Sequence, residues 1–363
     1  MKKTTFLLHS FYEQNFGGAE YQAYLLADEL IRNNYQVDYI YIDNGKVFKK
    51  TPVMHHCLEQ RTVSRKFGQN RFLYSKQIFQ ILNEIQPDII YHRNVSAFAG
   101  IAAKYCVKSD CKMIWHIASE PDVQPFRLKK VRTAIFDFID KKFAEYGVRH
   151  ADKIIGQAKY QEELLLKNYG RKCDLIIGNW HPLPKEECSK ALPLKVVWVA
   201  NIKPLKQPEM FIKLAEKLRD IKNVEFIMIG RPASGKYQKR LEERIDKVDN
   251  LTYLGEMPND EVNQLLLKSH IFVNTSKFEG FSNTFIQAWM REVPVISLSV
   301  DPDDILKKEQ IGFHSESFNA LIQDTKRLIE NRKLLSQMGK RAREYSIANH
   351  SMEKNMKLLM RLF

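Results

Sequence analysis

The chain has 363 residues, of which 44% are hydrophobic and 28% charged, with a formal net charge of +14. This is the balance of a soluble globular protein with room for two domains. The charge suits nucleic acid, anionic lipid or an anionic small molecule. No helix-turn-helix, zinc-finger or RNP-like motif accompanies it, so nucleic acid is excluded as the expected partner. No run of about 18 apolar residues occurs, so no transmembrane helix is expected. The apolar core of MKKTTFLLHS is too short for a signal peptide, and a cytoplasmic location is expected.

Thr4–Leu8 is predicted as the first strand, followed by a polar and aromatic loop, His9–Phe16. Gly17 and Gly18 open a helix from Ala19 to Asn33, with Tyr21, Leu25, Leu26, Leu30 and Ile31 on its apolar side. A strand, two glycines and a helix start can hold an anion on backbone N–H groups; the same residues also suit a plain tight turn, and G-x-G-x-x-G is absent. Tyr35–Ile42, Pro87–Tyr91 and Lys112–His116 follow as buried strands, with a small-residue helix over Asn94–Val107. His116 stands at the carboxyl end of its strand, the edge that faces the ligand crevice in open α/β sheets. It is either a residue of the reacting centre or a structural histidine bonded to backbone. Arg93, just beyond the preceding strand, is a second candidate of the same kind.

Arg127–Arg149 is basic and amphipathic. Val131, Ile135, Phe138, Ile139, Phe143 and Tyr146 form one side, and Lys129, Lys130, Arg132, Lys141, Lys142 and Arg149 supply the charge. It reads as a domain helix with solvated charges or as a membrane-surface helix. Ala151–Gln157 is a strand, Gln161–Tyr169 a helix ending at Gly170, and Leu175–Ile177 a last strand. The prolines of Asn179–Pro184 mark a linker, so the first domain is expected at 1–184. Cys57, Cys106, Cys111, Cys173 and Cys188 include no C-x-x-C pair, which points to free thiols.

The second half restarts the alternation. Val196–Ala200, Val224–Ile229, Leu251–Leu254, Ile271–Val273 and Val295–Leu298 are predicted strands, separated by helices over Pro208–Leu218, Leu241–Val248 and Asp260–Ser269. Such alternation implies two mostly parallel, doubly wound sheets facing across a cleft. The second domain is expected at 185–344, with Tyr345–Phe363 as a single terminal helix. Asp301, Asp303 and Asp304 read as a loop and not as a metal clamp.

Two stretches of this half carry chemistry. The loop Asn201–Gln207 leaves a buried strand and holds Lys203 and Lys206, which can neutralise a diphosphate. Phe278–Pro294 (FEGFSNTFIQAWMREVP) reads as strand end, glycine loop and capped helix, with Ser282 or Asn283 as the cap and Phe285, Ala288 and Trp289 on the buried side. That order aims N–H groups at an anion above the strand end, with Glu279 beside it and Gln287 about a turn inside the helix.

The second stretch resembles the signature of the retaining glycosyltransferases of family 4, the group 1 enzymes of GT-B fold. Glu279, Gly280 and Phe281 match; Gln287 stands where the pattern has a second Glu. GGAE at Gly17–Glu20, the strand-end His116, Lys206 and the terminal helix extend the resemblance over nearly the whole chain. It implies an α/β GT-B protein with an acceptor-binding first half and a nucleotide-sugar-binding second half. Glu279 would then bind hydroxyls of the donor sugar and Gln287 the ribose. Lys206 would hold the phosphates together with Asn201, which stands where the family usually has Arg, with Lys203 supplying further charge. His116 would lie near the transferred sugar, and Gly18, Gly280, Phe281, Ser282 and Asn283 would line the donor site. The nucleotide-diphosphate sugar, a UDP-sugar by preference, is a substrate, so no cofactor and no metal are expected. The acceptor would be a glycan or lipid-linked chain of surface polysaccharide synthesis, with the basic surface resting on an anionic membrane. Gln287 and Asn201 also allow a different protein, a non-catalytic relative that acts as scaffold or regulatory subunit.

Overall fold

The computed structural model describes residues 1–14, 17–45, 51–59, 70–125, 134–233 and 235–363. The chain divides into two compact units: Met1–Gly178 together with Asn355–Phe363, and Asn179–Lys354.

The first unit is built on a seven-stranded parallel sheet of order β3-β2-β1-β4-β5-β6-β7. Its strands are β1 (Lys3–Leu7), β2 (Gln36–Ile42), β3 (Met54–Leu58), β4 (Ile89–Arg93), β5 (Lys112–His116), β6 (Lys153–Gly156) and β7 (Leu175–Ile176). The central strands are buried on both faces, which is why they read as continuous apolar runs. β3 and the helix Ser75–Ile85 go beyond the sequence reading. β3 is an edge strand of the sequence MHHCL, half-exposed and interrupted by two histidines, so it lacks the apolar run that marks its neighbours.

Small residues let two helices of this unit touch. A Cβ at Gly100, in the helix Ala97–Cys106, would lie 2.0 Å from the Phe143 carbonyl oxygen; one at Gly147 would lie 2.4 Å from the Ala99 carbonyl carbon. Both contacts are with the helix Ala134–His150, the described part of the basic stretch. That part is therefore a domain helix, with Ala144 and Val148 buried, while Ile135 and Phe138 remain exposed. Arg127, Lys129, Lys130, Val131 and Arg132 lie outside the described residues.

The second unit holds a six-stranded parallel sheet of order β10-β9-β8-β11-β12-β13. Its strands are β8 (Leu194–Val199), β9 (Val224–Ile229), β10 (Leu251–Tyr253), β11 (Ile271–Asn274), β12 (Val295–Ser297) and β13 (Gly312–His314). In each sheet the first strand has its successor on one side and a later strand on the other. The order therefore reverses between β1 and β4, and again between β8 and β11. Ligands of open α/β sheets collect at the carboxyl ends of strands that flank such a reversal.

The unit boundaries differ from the 184 and 344 expected from sequence, and the hydrogen bonds give the reason. Asn179 Nδ2 donates to the Phe281 carbonyl at 2.7 Å, and the His181 N–H to the His350 carbonyl at 3.0 Å. The proline-rich segment thus begins the second unit. The expected single helix Tyr345–Phe363 is in fact two, Arg332–His350 and Met352–Leu359, broken at Ser351. Ser351 is extended (φ −64°, ψ 134°) because it forms a strand-like bridge with His181. The last residues then return to the first unit, where Lys2 Nζ donates to the Phe363 carbonyl at 2.6 Å and the Phe363 ring centre lies 6.2 Å from that of Tyr91.

Candidate active site

In the second unit the loops that follow β8 and β11 are tied to each other. Trp198 Nε1, at the end of β8, donates to Thr275 Oγ1 at 2.9 Å; Thr275 Oγ1 donates to the Lys206 carbonyl at 2.7 Å; the Lys277 N–H donates to the Leu205 carbonyl at 3.0 Å. These bonds fix the short turn Pro204–Lys206 above the sheet. At its centre Lys206 Nζ pairs with Glu279 Oε1, and Ser276 Oγ donates to the same oxygen at 2.7 Å. Both side chains keep some contact with solvent, at 20% for Lys206 and 16% for Glu279. A cation and a carboxylate are thus held side by side at the reversal of the sheet, where one can meet phosphate and the other sugar hydroxyls.

The neighbouring candidates sort around this pair. Asn201 is half-buried in the loop after β8, where the backbone closes on the end of β9: a Cβ at Gly230 would lie 1.7 Å from the Ala200 carbonyl oxygen. Lys203 is exposed and stands outside the Lys206–Glu279 pair. Ser282 is the N-cap of the helix Asn283–Trp289, but its hydroxyl does not cap; it pairs with Thr284 Oγ1 at 2.8 Å. Gly280 joins Glu279 to this cap. The ring of Phe281 is turned into the core, 4.7 Å from that of His350 and 6.2 Å from that of Trp289. Gln287 is buried, and its Nε2 donates to Asn259 Oδ1 and Asn263 Oδ1, each at 3.0 Å. Of the acids read as a loop, Asp301 accepts from the Leu306 N–H at 2.9 Å and so caps the helix Ile305–Lys308.

In the first unit, Gly17 is the N-cap and Gly18 the first residue of the helix Gly18–Arg32. The Glu20 carboxylate folds back over this start: a Cβ at Gly17 would lie 2.1 Å from Glu20 Oε2, while Ser10 Oγ donates to Oε1 at 3.1 Å. The helix N-terminus thus already faces an internal carboxylate. His116 and Arg93 lie together at the ends of β5 and β4, both fully buried. Arg93 Nη1 approaches His116 Nδ1 at 3.1 Å, and Tyr91 Oη lies 2.7 Å from the same nitrogen. Arg93 Nη1 also lies 3.4 Å from Nε2, so the guanidinium faces both ring nitrogens of His116. Burial first, and then the Arg93 charge, hold His116 neutral, well below the usual histidine range.

The partners that complete the second-unit site were not singled out in the sequence. Asn274, Thr275 and Ser276 stand directly before the signature, and a run of three polar residues closing a buried strand was the available signal. Asn259 and Asn263, one helical turn apart on Asn259–Leu267, had no signal short of the fold.

The sequence model described as "Glycosyl transferases group 1" matches residues 185–345, and that described as "Glycosyltransferase Family 4" matches residues 16–177. The chain belongs to the group 1 glycosyltransferases. Among solved structures, this glycosyltransferase-family chain is similar to Anabaena Alr3699/HepE in complex with UDP and glucose, with a TM-score of 0.79 at 15% identity, over 100% of this chain and 99% of that one. The likeness assigns the GT-B fold. Among curated proteins it is similar to Glycosyltransferase 1 domain-containing protein 1 of Xenopus tropicalis, 29% identical over 151 residues (41% of this chain, 43% of that protein). It is also similar to the poly(ribitol-phosphate) alpha-N-acetylglucosaminyltransferase of Staphylococcus aureus, 23% identical over 235 residues (61% and 46%). The chain spans less than half the length of these two relatives.

Proposed function

We propose that the protein is a retaining, metal-independent glycosyltransferase that moves a hexose-type sugar from a nucleotide-diphosphate sugar to a glycan or lipid-linked acceptor in surface polysaccharide synthesis. The observation that carries this reading is the Lys206–Glu279 pair at the β8/β11 reversal. Two negative charges develop on the leaving nucleoside diphosphate, and a preorganised cation that faces them lowers the barrier. Glu279 accepts hydrogen bonds from the donor sugar, with Ser276 holding the carboxylate in place. Asn201, Gly280, Ser282 and Asn283 line the same loops, and Gln287, its amide nitrogen held by two asparagines, is assigned to the ribose. Lys203 adds an exposed charge to the phosphate-binding groups of the second unit, and Gly18 is a helix start in the first. Phe281 acts through its backbone, since its ring is spent on the core. His116, neutral and aligned by Tyr91 and Arg93, stands for the first unit at the acceptor side. The departing phosphate takes the acceptor proton on the same face from which the bond breaks, which needs no second carboxylate. UDP is the favoured nucleotide, because the HepE structure holds it.

The donor reading is tested by thermal unfolding against UDP, GDP, ADP and their sugars, with and without EDTA. One nucleotide at about 100 times its dissociation constant should add about 2.7 kcal/mol, and EDTA should leave the shift in place. No shift with any of them favours the scaffold reading.

A peripheral membrane position is part of the proposal. No described helix is long and apolar enough to cross a membrane. Ile135 and Phe138 are 75% and 48% exposed on the helix Ala134–His150, beside Lys141 and Lys142. Apolar side chains flanked by lysines suit an anionic bilayer surface, at about 1 kcal/mol per basic residue. Co-sedimentation with vesicles containing phosphatidylglycerol should fall markedly in Ile135→Asp; equal recovery of both forms removes this part of the reading.

A further inference from the structure

The first unit carries a second polar cluster at the β1/β4 reversal, on the face of the sheet opposite Tyr91 and Arg93, since neighbouring residues of β4 alternate. Asn70, fully buried and held left-handed (φ 39°, ψ 43°), leads into the turn Arg71–Tyr74. Asp140 accepts from the backbone N–H groups of Arg71 at 3.1 Å and Phe72 at 2.9 Å, so its carboxylate is spent on that turn. His92 is fixed as well: Nδ1–H donates to the Leu7 carbonyl at 2.6 Å, and Nε2 lies 3.3 Å from the Ser96 hydroxyl. Burial first, and then the Arg71 charge, bring both His9 and His92 down to about 4. The Arg71 guanidinium feels the carboxylates of Asp140 and Glu20 and in turn acts on these two neutral imidazoles at the ends of β1 and β4; its Cζ lies 6.0 Å from the Phe98 ring centre.

Arg71 Nε, His9 Nδ1 and both ends of the Asn70 amide are shielded from solvent and have no hydrogen-bond partner among the described residues. Of the nearby carboxylates, Asp140 accepts from two N–H groups of the turn and Glu20 from the Ser10 hydroxyl. An unmade hydrogen bond on a buried polar atom costs about 1–3 kcal/mol. Several of them around one guanidinium describe a place kept for a ligand rich in acceptors.

We infer that Arg71, with Asn70 and His9, binds a phosphate-type oxyanion carried by the acceptor. The planar guanidinium matches two oxygens of such a group at once, and the Asn70 amide donates to a further one. The assignment of the anion to the acceptor rests on reading the first unit as the acceptor-binding half.

The experiment compares the wild type with Arg71→Gln, Arg71→Lys and Lys206→Gln, and follows unfolding against inorganic phosphate, glycerol 3-phosphate and glycerol. Saturable stabilisation by both phosphates and none by glycerol is expected in the wild type and in Lys206→Gln. Affinity should fall at least tenfold in Arg71→Gln and less in Arg71→Lys. Stabilisation that survives Arg71→Gln, or that disappears with Lys206→Gln, overturns the inference. If the Arg71 variants do not fold, phenylglyoxal labelling of the wild type decides: phosphate should protect Arg71, and unprotected Arg71 rejects the site. Binding of glycerol 3-phosphate better than inorganic phosphate identifies an esterified group, and the reverse identifies free phosphate and removes the acceptor assignment. The outcome is independent of the donor reading: phosphate binding lost with Arg71 in a chain that ignores every nucleotide keeps this site and rejects the transferase.

Discussion

Lys206→Ala is expected to lower the rate of sugar transfer by about 10² to 10³-fold, the effect of removing one preorganised electrostatic donor from a charge-developing transition state. The fold should persist. Lys206 leaves the pair without emptying a core site, and Glu279 keeps the Ser276 hydroxyl and its own contact with solvent. A partly exposed ion pair is worth about 1 kcal/mol or less, so the unfolding midpoint should barely move. Glu279→Ala should also abolish most transfer, but by a different route: it removes the group that orients the sugar and frees Lys206 from its partner. Because the two side chains act on one donor molecule, the double variant should be little worse than either single one. The decisive measurement is turnover of the nucleotide-sugar found by the binding panel, with kcat and KM separated. Lys206→Ala should act mainly on kcat, since charge on the diphosphate grows as the bond breaks. Full activity in both variants would exclude the pair from the chemistry.

Much of this arrangement was legible in the sequence because it depends on local order. A buried strand followed by a short polar loop and a helix can be recognised wherever it occurs, and both Lys206 and Glu279 lie in such loops. Their direct pairing was not legible, since it follows from β8 and β11 lying side by side, which only the sheet order gives. Gln287 illustrates the same limit. As a residue it looked like a departure from a pattern; in the fold its amide is held by Asn259 and Asn263 from the adjoining helix. Phe281 was read as part of the ligand loop because it matches the Gly-Phe of the signature, whereas burial against Trp289 and His350 decides the direction of its ring. The break at Ser351 was hidden for another reason. Residues 345–363 have good helical composition throughout, and a tertiary bridge to His181 overrides that propensity at one position. The edge strand β3 was missed because a short, half-exposed strand of mixed composition has no periodic signal strong enough to separate it from a loop.

Mild acid is expected to unfold the second unit well above the pH at which carboxylates titrate. His181, His270 and His350 are buried there, and each is pushed down: to about 3 for His181 by burial and then Arg291, to about 4 for His270 by burial and then Lys190, and to about 4 for His350 by burial. His350 is neutral with its Nδ1–H donated to the Asn179 carbonyl at 2.9 Å, and its ring packs against Phe281, Trp289 and Tyr345. In the unfolded chain the same groups titrate near 6.5. Between about pH 6.5 and 4 the unfolded state therefore binds more protons than the native state, and stability falls as pH falls. Each histidine contributes about 1.4 kcal/mol per pH unit in that window, and three together about 4 kcal/mol. A unit with about 5–15 kcal/mol of stability loses most of it within two or three pH units. Asp301 works in the opposite direction, since burial raises it and the native state takes up its proton first, but a single carboxyl offsets only part of the loss. Trp180, Trp198 and Trp289 are buried in this unit and Trp115 in the first, so tryptophan fluorescence follows mainly the second unit. Urea midpoints should be level from pH 8 to 7 and then fall steeply below pH 6.5. Replacing His270 by Asn should flatten the slope by about one proton, because His270 Nδ1 accepts from the Lys195 N–H and an amide oxygen can take that bond without titrating. A midpoint that stays constant down to pH 4.5 would mean that these histidines are solvated in the native protein and that the core around His350 is open to water.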